Sequence, residues 1–184
     1  MVISFKGVHF PKDASRLIIR PFIGGANKTI SYCALGNKNM KKEVIRTPLV
    51  PETGGPFNLA VKYRSHIYIS GLPPFDETYC QQLRDARAND QSLPPFPDMP
   101  IEQQTRIVMD HIKALMEAAG SSMDHLLKVT VWLKDQRDHA TFDRIYRSYF
   151  SSAETLPART RMQAGRTPLD CGLEVDAIGY IPDE

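Results

Sequence analysis

The chain has 184 residues, 42% of them hydrophobic and 24% charged, which suits one globular domain with an ordinary core. A formal net charge of +2 is too small to argue for nucleic acid by bulk electrostatics, and no apolar run approaches the length of a membrane span. The three cysteines, Cys33, Cys80 and Cys171, lack the spacing of a disulfide framework or a zinc site. His9, His66, His111, His125 and His139 show no metal-ligand spacing and read as surface or capping residues. The expected compartment is the reducing cytoplasm.

Residues 1–39 offer two candidate strands, 1–5 and 17–19, and no clear small-residue cleavage site, so they do not read as a secretory signal. A short strand over 44–46 is stopped by Thr47-Pro48. A hairpin follows, 60–63 and 66–70, turned at Arg64-Ser65. Ile67 and Ile69 alternate there with His66, Tyr68 and Ser70, the period of a half-buried strand. Gly71-Leu72-Pro73-Pro74 ends it. Residues 76–98 are polar and read as a solvated excursion with room for a short helix over 78–88.

A long helix is expected from about 100 to 119. Asp98 is its candidate cap, Pro100 suits its first turn and Gly120 its stop. Ile107, Val108, Ile112, Leu115, Met116 and Ala119 make one apolar stripe at helical spacing. A helical turn at 123–127 leads into a strand over 128–134, where Val129, Val131 and Leu133 face one way. A second helix, 139–150, turns Phe142, Ile145, Tyr146, Tyr149 and Phe150 inward. Two strands close the chain, one starting at Arg159 after Pro157 and one over 173–181. This order predicts an α+β fold, a single mixed β-sheet with two helices packed on one face. Tyr68 and Trp132 fall on the outward stripe, so the open face is expected to be covered.

Arg159 and Glu174, fifteen positions apart, are the candidate chemistry. On adjacent strands, a guanidinium can grip a carboxylate with two hydrogen bonds and a glutamate can orient or deprotonate a water. On spacing alone the same pair reads first as a surface ion pair of little worth. Cys171 reads as a small turn or core residue, because nothing nearby would stabilise a thiolate.

The surrounding motifs favour the functional reading. Pro157-Ala158-Arg159-Thr160, then Gly165-Arg166-Thr167-Pro168, then Leu173-Glu174-Val175-Asp176-Ala177-Ile178 resembles the C-terminal signature of the reactive intermediate deaminase family, also called Rid or YjgF-like. Gly54-Gly55-Pro56-Phe57, Ile67 to Pro73, Glu117 to Ser121, Val129 to Asp135 and the Phe142, Tyr146, Phe150 helix resemble its other segments, in order. The resemblance runs from about Met40 to Pro182. It divides the chain into an N-terminal extension, 1–39, and a Rid-like domain, 40–184. The extension reads as an added strand, a tail or an upstream start.

The resemblance implies a chorismate-mutase-like, YjgF-like fold that forms a homotrimer with clefts between subunits. The implied reaction is hydrolysis of a reactive enamine or imine of a small carboxylic acid to a keto acid and ammonia, with no metal or organic cofactor. By the same resemblance Arg159 binds the substrate carboxylate and Glu174 handles the attacking water. Gly71 admits close backbone approach, and Phe57 walls the pocket. Two positions depart from the family: a tyrosine is common where Phe57 stands, and a small residue or cysteine where Arg161 stands. Arg161 points to the same side as Arg159, as a second cation for a dicarboxylate or as a surface ion-pair partner. The alternative function is a non-catalytic, small-ligand-binding or regulatory trimer. Neither reading calls for nucleic acid or membrane.

Overall fold

The computed structural model of the chain describes residues 41–183 together with two short strands, Leu17–Ile19 (β1) and Ile30–Tyr32 (β2). These two pair antiparallel, Leu17 opposite Tyr32 and Ile19 opposite Ile30, in a unit of their own. The strand expected over 17–19 is present. The one expected over 1–5 lies outside the described residues, as do His9 and Cys33.

The rest is built on one six-stranded sheet. Its strands are Glu43–Ile45 (β3), Ala60–Tyr63 (β4), His66–Leu72 (β5), Leu126–Leu133 (β6), Ala158–Gln163 (β7) and Leu173–Tyr180 (β8), in the order β3-β4-β5-β8-β6-β7. All neighbours run antiparallel except β6 and β7. A parallel pair needs a crossover, and helix α3, His139–Arg147, supplies it. Helix α2, Ile101–Ala118, makes the other crossover, from β5 to β6. The last strand, β8, then fills the space between them.

Alternation along the strands sets the two faces. Val129, Val131 and Leu133 are wholly buried, as are Ile67, Leu173 and Val175, all turned toward α2 and α3. Each such side chain contributes roughly 1.5–3 kcal/mol on leaving water. From the helices, Val108, Ile112, Leu115, Phe142 and Tyr146 meet them. The expected helical stripes are therefore the core. Tyr149 and Phe150 lie past the end of α3 and are only partly buried against it.

The mixed sheet matches the expected fold class, with one correction. A third helix, α1, spans Glu77–Ala88, where the sequence leaves room for a short helix, and it is packed down rather than solvated. Asp76 caps it by accepting from the Tyr79 backbone N–H at 2.8 Å. Tyr79, Cys80 and Leu83 form a small second core with Phe75 and Cys171, against Phe96 and Leu169. The apolar residues that hold it down are scattered in sequence, so local periodicity did not reveal its packing. Gly120 ends α2 with φ of +81°, as expected. Asp98 does not cap that helix: no side chain does, and Gln104 Nε2 instead donates to the Met99 carbonyl at 2.6 Å.

No described helix is long and apolar enough to cross a membrane. The sheet face away from the helices is unusually apolar for one facing water. It carries Val44, Tyr68 and Met162, 38%, 43% and 42% exposed, beside half-buried Trp132 and Ile178.

Candidate active site

Glu174 sits on the open face of β8, between the buried Leu173 and Val175, with Trp132 opposite it on β6. It lines a cavity of about 330 Å³ with Trp132, Gln163, Gly165, Arg166, Thr167 and Pro168. Among the described residues no cation pairs with it. Burial pushes its carboxyl above the ordinary carboxylate value, and neighbouring Asp176 adds to the shift. Such a carboxylate is a better proton acceptor than an exposed one.

Gly71 makes room for it. The β5–β8 register slips between Ile69 and Leu72, bringing the Gly71 backbone beside Glu174. A Cβ at Gly71 would lie 1.9 Å from Glu174 Oε1 and 2.7 Å from Cδ. The glycine therefore clears space for a side chain of the same protein. On the far side, Gln104 sets the start of β8: its Oε1 accepts from the Gly172 backbone N–H at 2.6 Å. Thr167, 4% exposed, donates its hydroxyl to the Cys171 carbonyl and fixes the turn that forms the cavity's rim. Sequence reasoning missed Gln104, and it placed Thr167 in a motif without its role, because both act through backbone contacts that local sequence does not show.

Arg159 is elsewhere. Strand β6 lies between β7 and β8, so Arg159 and Glu174 are not on adjacent strands. Arg159 pairs with buried Val129, and Glu174 with Trp132 of the opposite alternation, so the two side chains leave opposite faces of the sheet. Two strand spacings and three residues of rise separate their backbones by roughly 14 Å. Arg159 instead meets α3. Its Nη1 lies 2.8 Å from Asp143 Oδ1, and its guanidinium stands over the Tyr146 ring at 4.8 Å. Arg161, on the same side as expected, donates from Nη1 to Asp143 Oδ2 at 2.9 Å.

Phe57 is half exposed at 51% and does not line the Glu174 cavity. Its ring lies over Gly55, where a Cβ would come within 2.4 Å of it. Cys171 is wholly buried, its Sγ 3.2 Å from the Leu173 carbonyl. Burial pushes its thiol up to about 11, which leaves it protonated and without a nucleophile's thiolate.

Residues 47–181 match the family model described as Endoribonuclease L-PSP. A RutC family protein of Pyrococcus horikoshii is 36% identical over 139 residues, 76% of this chain and 98% of that one. TdcF of Escherichia coli K12, provisionally named a reactive intermediate deaminase, is 30% identical over 138 residues, 74% of this chain and 95% of its own. The fold is that of solved relatives. The E. coli YjgF product has 29% identity and a TM-score of 0.61 over 75% of this chain and 98% of that one. E. coli TdcF with bound serine has 28% identity and a TM-score of 0.60 over 75% and 98%. The chain belongs to the Endoribonuclease L-PSP family, the Rid or YjgF-like proteins.

Proposed function

We propose that the protein is a cofactor-independent hydrolase of reactive enamine and imine intermediates of small carboxylic acids, releasing ammonia and a keto acid. One observation carries this reading: Glu174 stands in a cavity, unpaired with any described cation, with its proton affinity raised by burial. An imine carbon is already electrophilic, so the protein has mainly to hold it and supply a positioned water. Glu174 takes the proton from that water as it attacks, and the same carboxyl can return it to the departing amine. Arg159 holds the substrate carboxylate, and Gly71 gives Glu174 its place beside the substrate. Phe57, outside the Glu174 cavity of its own chain, belongs to the wall only as part of an adjoining copy. One relative, E. coli TdcF, is provisionally named for reactive intermediate deamination and was solved with bound serine, a small amino acid carboxylate.

The working unit in this reading is a homotrimer. The apolar open face calls for a cover, and Arg159 on the edge strand β7 can reach a Glu174 cavity only across a boundary between copies. Neither nucleic acid nor membrane is needed as a partner.

The test is ammonia release from freshly generated 2-iminobutyrate or 2-aminoacrylate. A rate above the uncatalysed one, lost in Glu174→Gln, is the expected result. Saturable binding of 2-oxobutyrate with no acceleration of ammonia release would favour the second reading, a ligand-binding or regulatory trimer.

A further inference from the structure

We propose that Asp143 is a positioning and specificity residue: it holds Arg159 by one edge and cancels the charge of Arg161, leaving a site that takes a single carboxylate. The inference rests on the reading of Arg159 as the substrate's carboxylate anchor.

Asp143 projects from α3 between two guanidiniums of β7. Its Oδ2 accepts from Arg161 Nη1 at 2.9 Å. Its Oδ1 makes an ion-pair contact of 2.8 Å with Arg159 Nη1 that falls short of good hydrogen-bond alignment. All three side chains are about three-quarters shielded, at 26%, 24% and 22% exposure for Arg159, Asp143 and Arg161, so the charges act on one another with little screening. Burial works to raise the Asp143 carboxyl, yet the two guanidiniums outweigh it and hold it below the ordinary value. It is a carboxylate at neutral pH.

The geometry divides the roles of the two arginines. Arg159 has one edge at Asp143 and its plane over Tyr146 and Phe142, at 4.8 and 5.9 Å. Its Nε and Nη2 make no hydrogen bond among the described residues, and those two atoms form the fork that grips a carboxylate. Arg161 differs, because its Nη1 is committed to Asp143 and its Nε is buried without a partner. Two guanidiniums and one carboxylate sum to a single positive charge. One substrate carboxylate neutralises the cluster. A second would be in excess. The departure at Arg161 therefore comes with its own counter-charge, and does not make a second carboxylate subsite.

The experiment is calorimetric titration of the full-length protein with 2-oxobutyrate and 2-oxoglutarate, one and two carboxylates, in wild type and four variants. The wild type is expected to favour 2-oxobutyrate. Asp143→Asn keeps the shape but raises the cluster to two positive charges, and should shift the ratio of affinities toward 2-oxoglutarate by on the order of tenfold. Asp143→Asn with Arg161→Met restores a single charge and should restore the wild-type ratio, which a merely structural role for Asp143 would not produce. Arg161→Met alone leaves Asp143 opposing Arg159 and should weaken both ligands. That variant decides the matter if Asp143→Asn does not fold: weakened 2-oxobutyrate binding supports the proposal, and loss of 2-oxoglutarate binding alone overturns it. Arg159→Ala tests the underlying reading separately. If it abolishes binding while Asp143→Asn leaves the ratio unchanged, Arg159 is the anchor and the role given to Asp143 is wrong. If it leaves binding intact, the anchor reading itself fails.

Discussion

Gly71→Ala is a small change with a large expected effect on turnover. The new methyl carbon would sit 1.9 Å from Glu174 Oε1, whereas ordinary contact begins near 3.4 Å. The carboxylate, as the far end of a flexible side chain, is the group that yields, and it must move by 3.4 − 1.9, or about 1.5 Å. A misplacement of about 1 Å in a catalytic group costs on the order of 100-fold in rate, so turnover should fall by at least that. The stability cost is modest. Overpacking costs roughly 1–3 kcal/mol, and exchanging glycine for alanine in extended backbone returns roughly 0.4–1 kcal/mol. At roughly 2–4 °C per kcal/mol for a chain of this size, Tm should fall by no more than about 10 °C. Adding Glu174→Ala removes the collision. The double variant should regain the lost Tm while remaining inactive. Ammonia release and thermal melts followed by circular dichroism measure both effects. Wild-type turnover in Gly71→Ala would show that the position of the Glu174 carboxylate does not limit the reaction.

Glu174→Gln should lower turnover on the order of 100-fold, while 2-oxobutyrate affinity stays near wild type. Because burial raises the Glu174 carboxyl, the folded state holds that proton more tightly than the unfolded chain. The stability this gives is present below the ordinary carboxylate value and is lost as pH rises through the folded one. At neutral pH the ionised group is a net cost, so Glu174→Gln should melt higher than wild type at pH 7, with the gap closing on acidification. A chain starting at Met40 should keep both its melting temperature, within a few degrees, and its assembly. Light scattering should give three times the subunit mass, which is 20.8 kDa for the full-length chain; aggregation or a monomer would count against the proposed dispensability and trimer, respectively.

The faces of the elements were legible in sequence, and the strand order was not. Val129, Val131 and Leu133 alternate with Thr130 and Trp132, and that local signal fixes which residues of β6 are core. Nothing local says that β8 inserts between β5 and β6. That pairing joins strands about fifty and a hundred residues apart in sequence, and it is set by crossover geometry and burial of both strand faces. The expectation of Arg159 and Glu174 side by side failed there. The Asp143 contact was equally hidden: α3 crosses over β6 and β7 to bring it beside residues sixteen and eighteen positions later, a distance with no helical or strand period. Glu174 itself was legible through motif order, but the reason for Gly71 was not, because a bulge in the β5–β8 pairing creates the close approach.

The separation of Arg159 from Glu174 bears on how the proposed trimer would work. Within one chain the two groups leave opposite faces of the sheet with β6 between them, so one small substrate cannot touch both. Arg159 lies on the edge strand, however, and Glu174 on the face that calls for a cover, which are the two surfaces an adjoining copy can bring together. If each cleft takes Arg159 from one subunit and Glu174 from the next, two inactive proteins should repair one another. Arg159→Ala and Glu174→Gln, unfolded together in equal amounts and refolded, should form mixed trimers. With random assortment about a quarter of the clefts receive the intact arginine and the intact glutamate, so about a quarter of wild-type ammonia release should return. If both groups act within the chain that carries them, no mixture restores any cleft and the activity stays at the level of the parents.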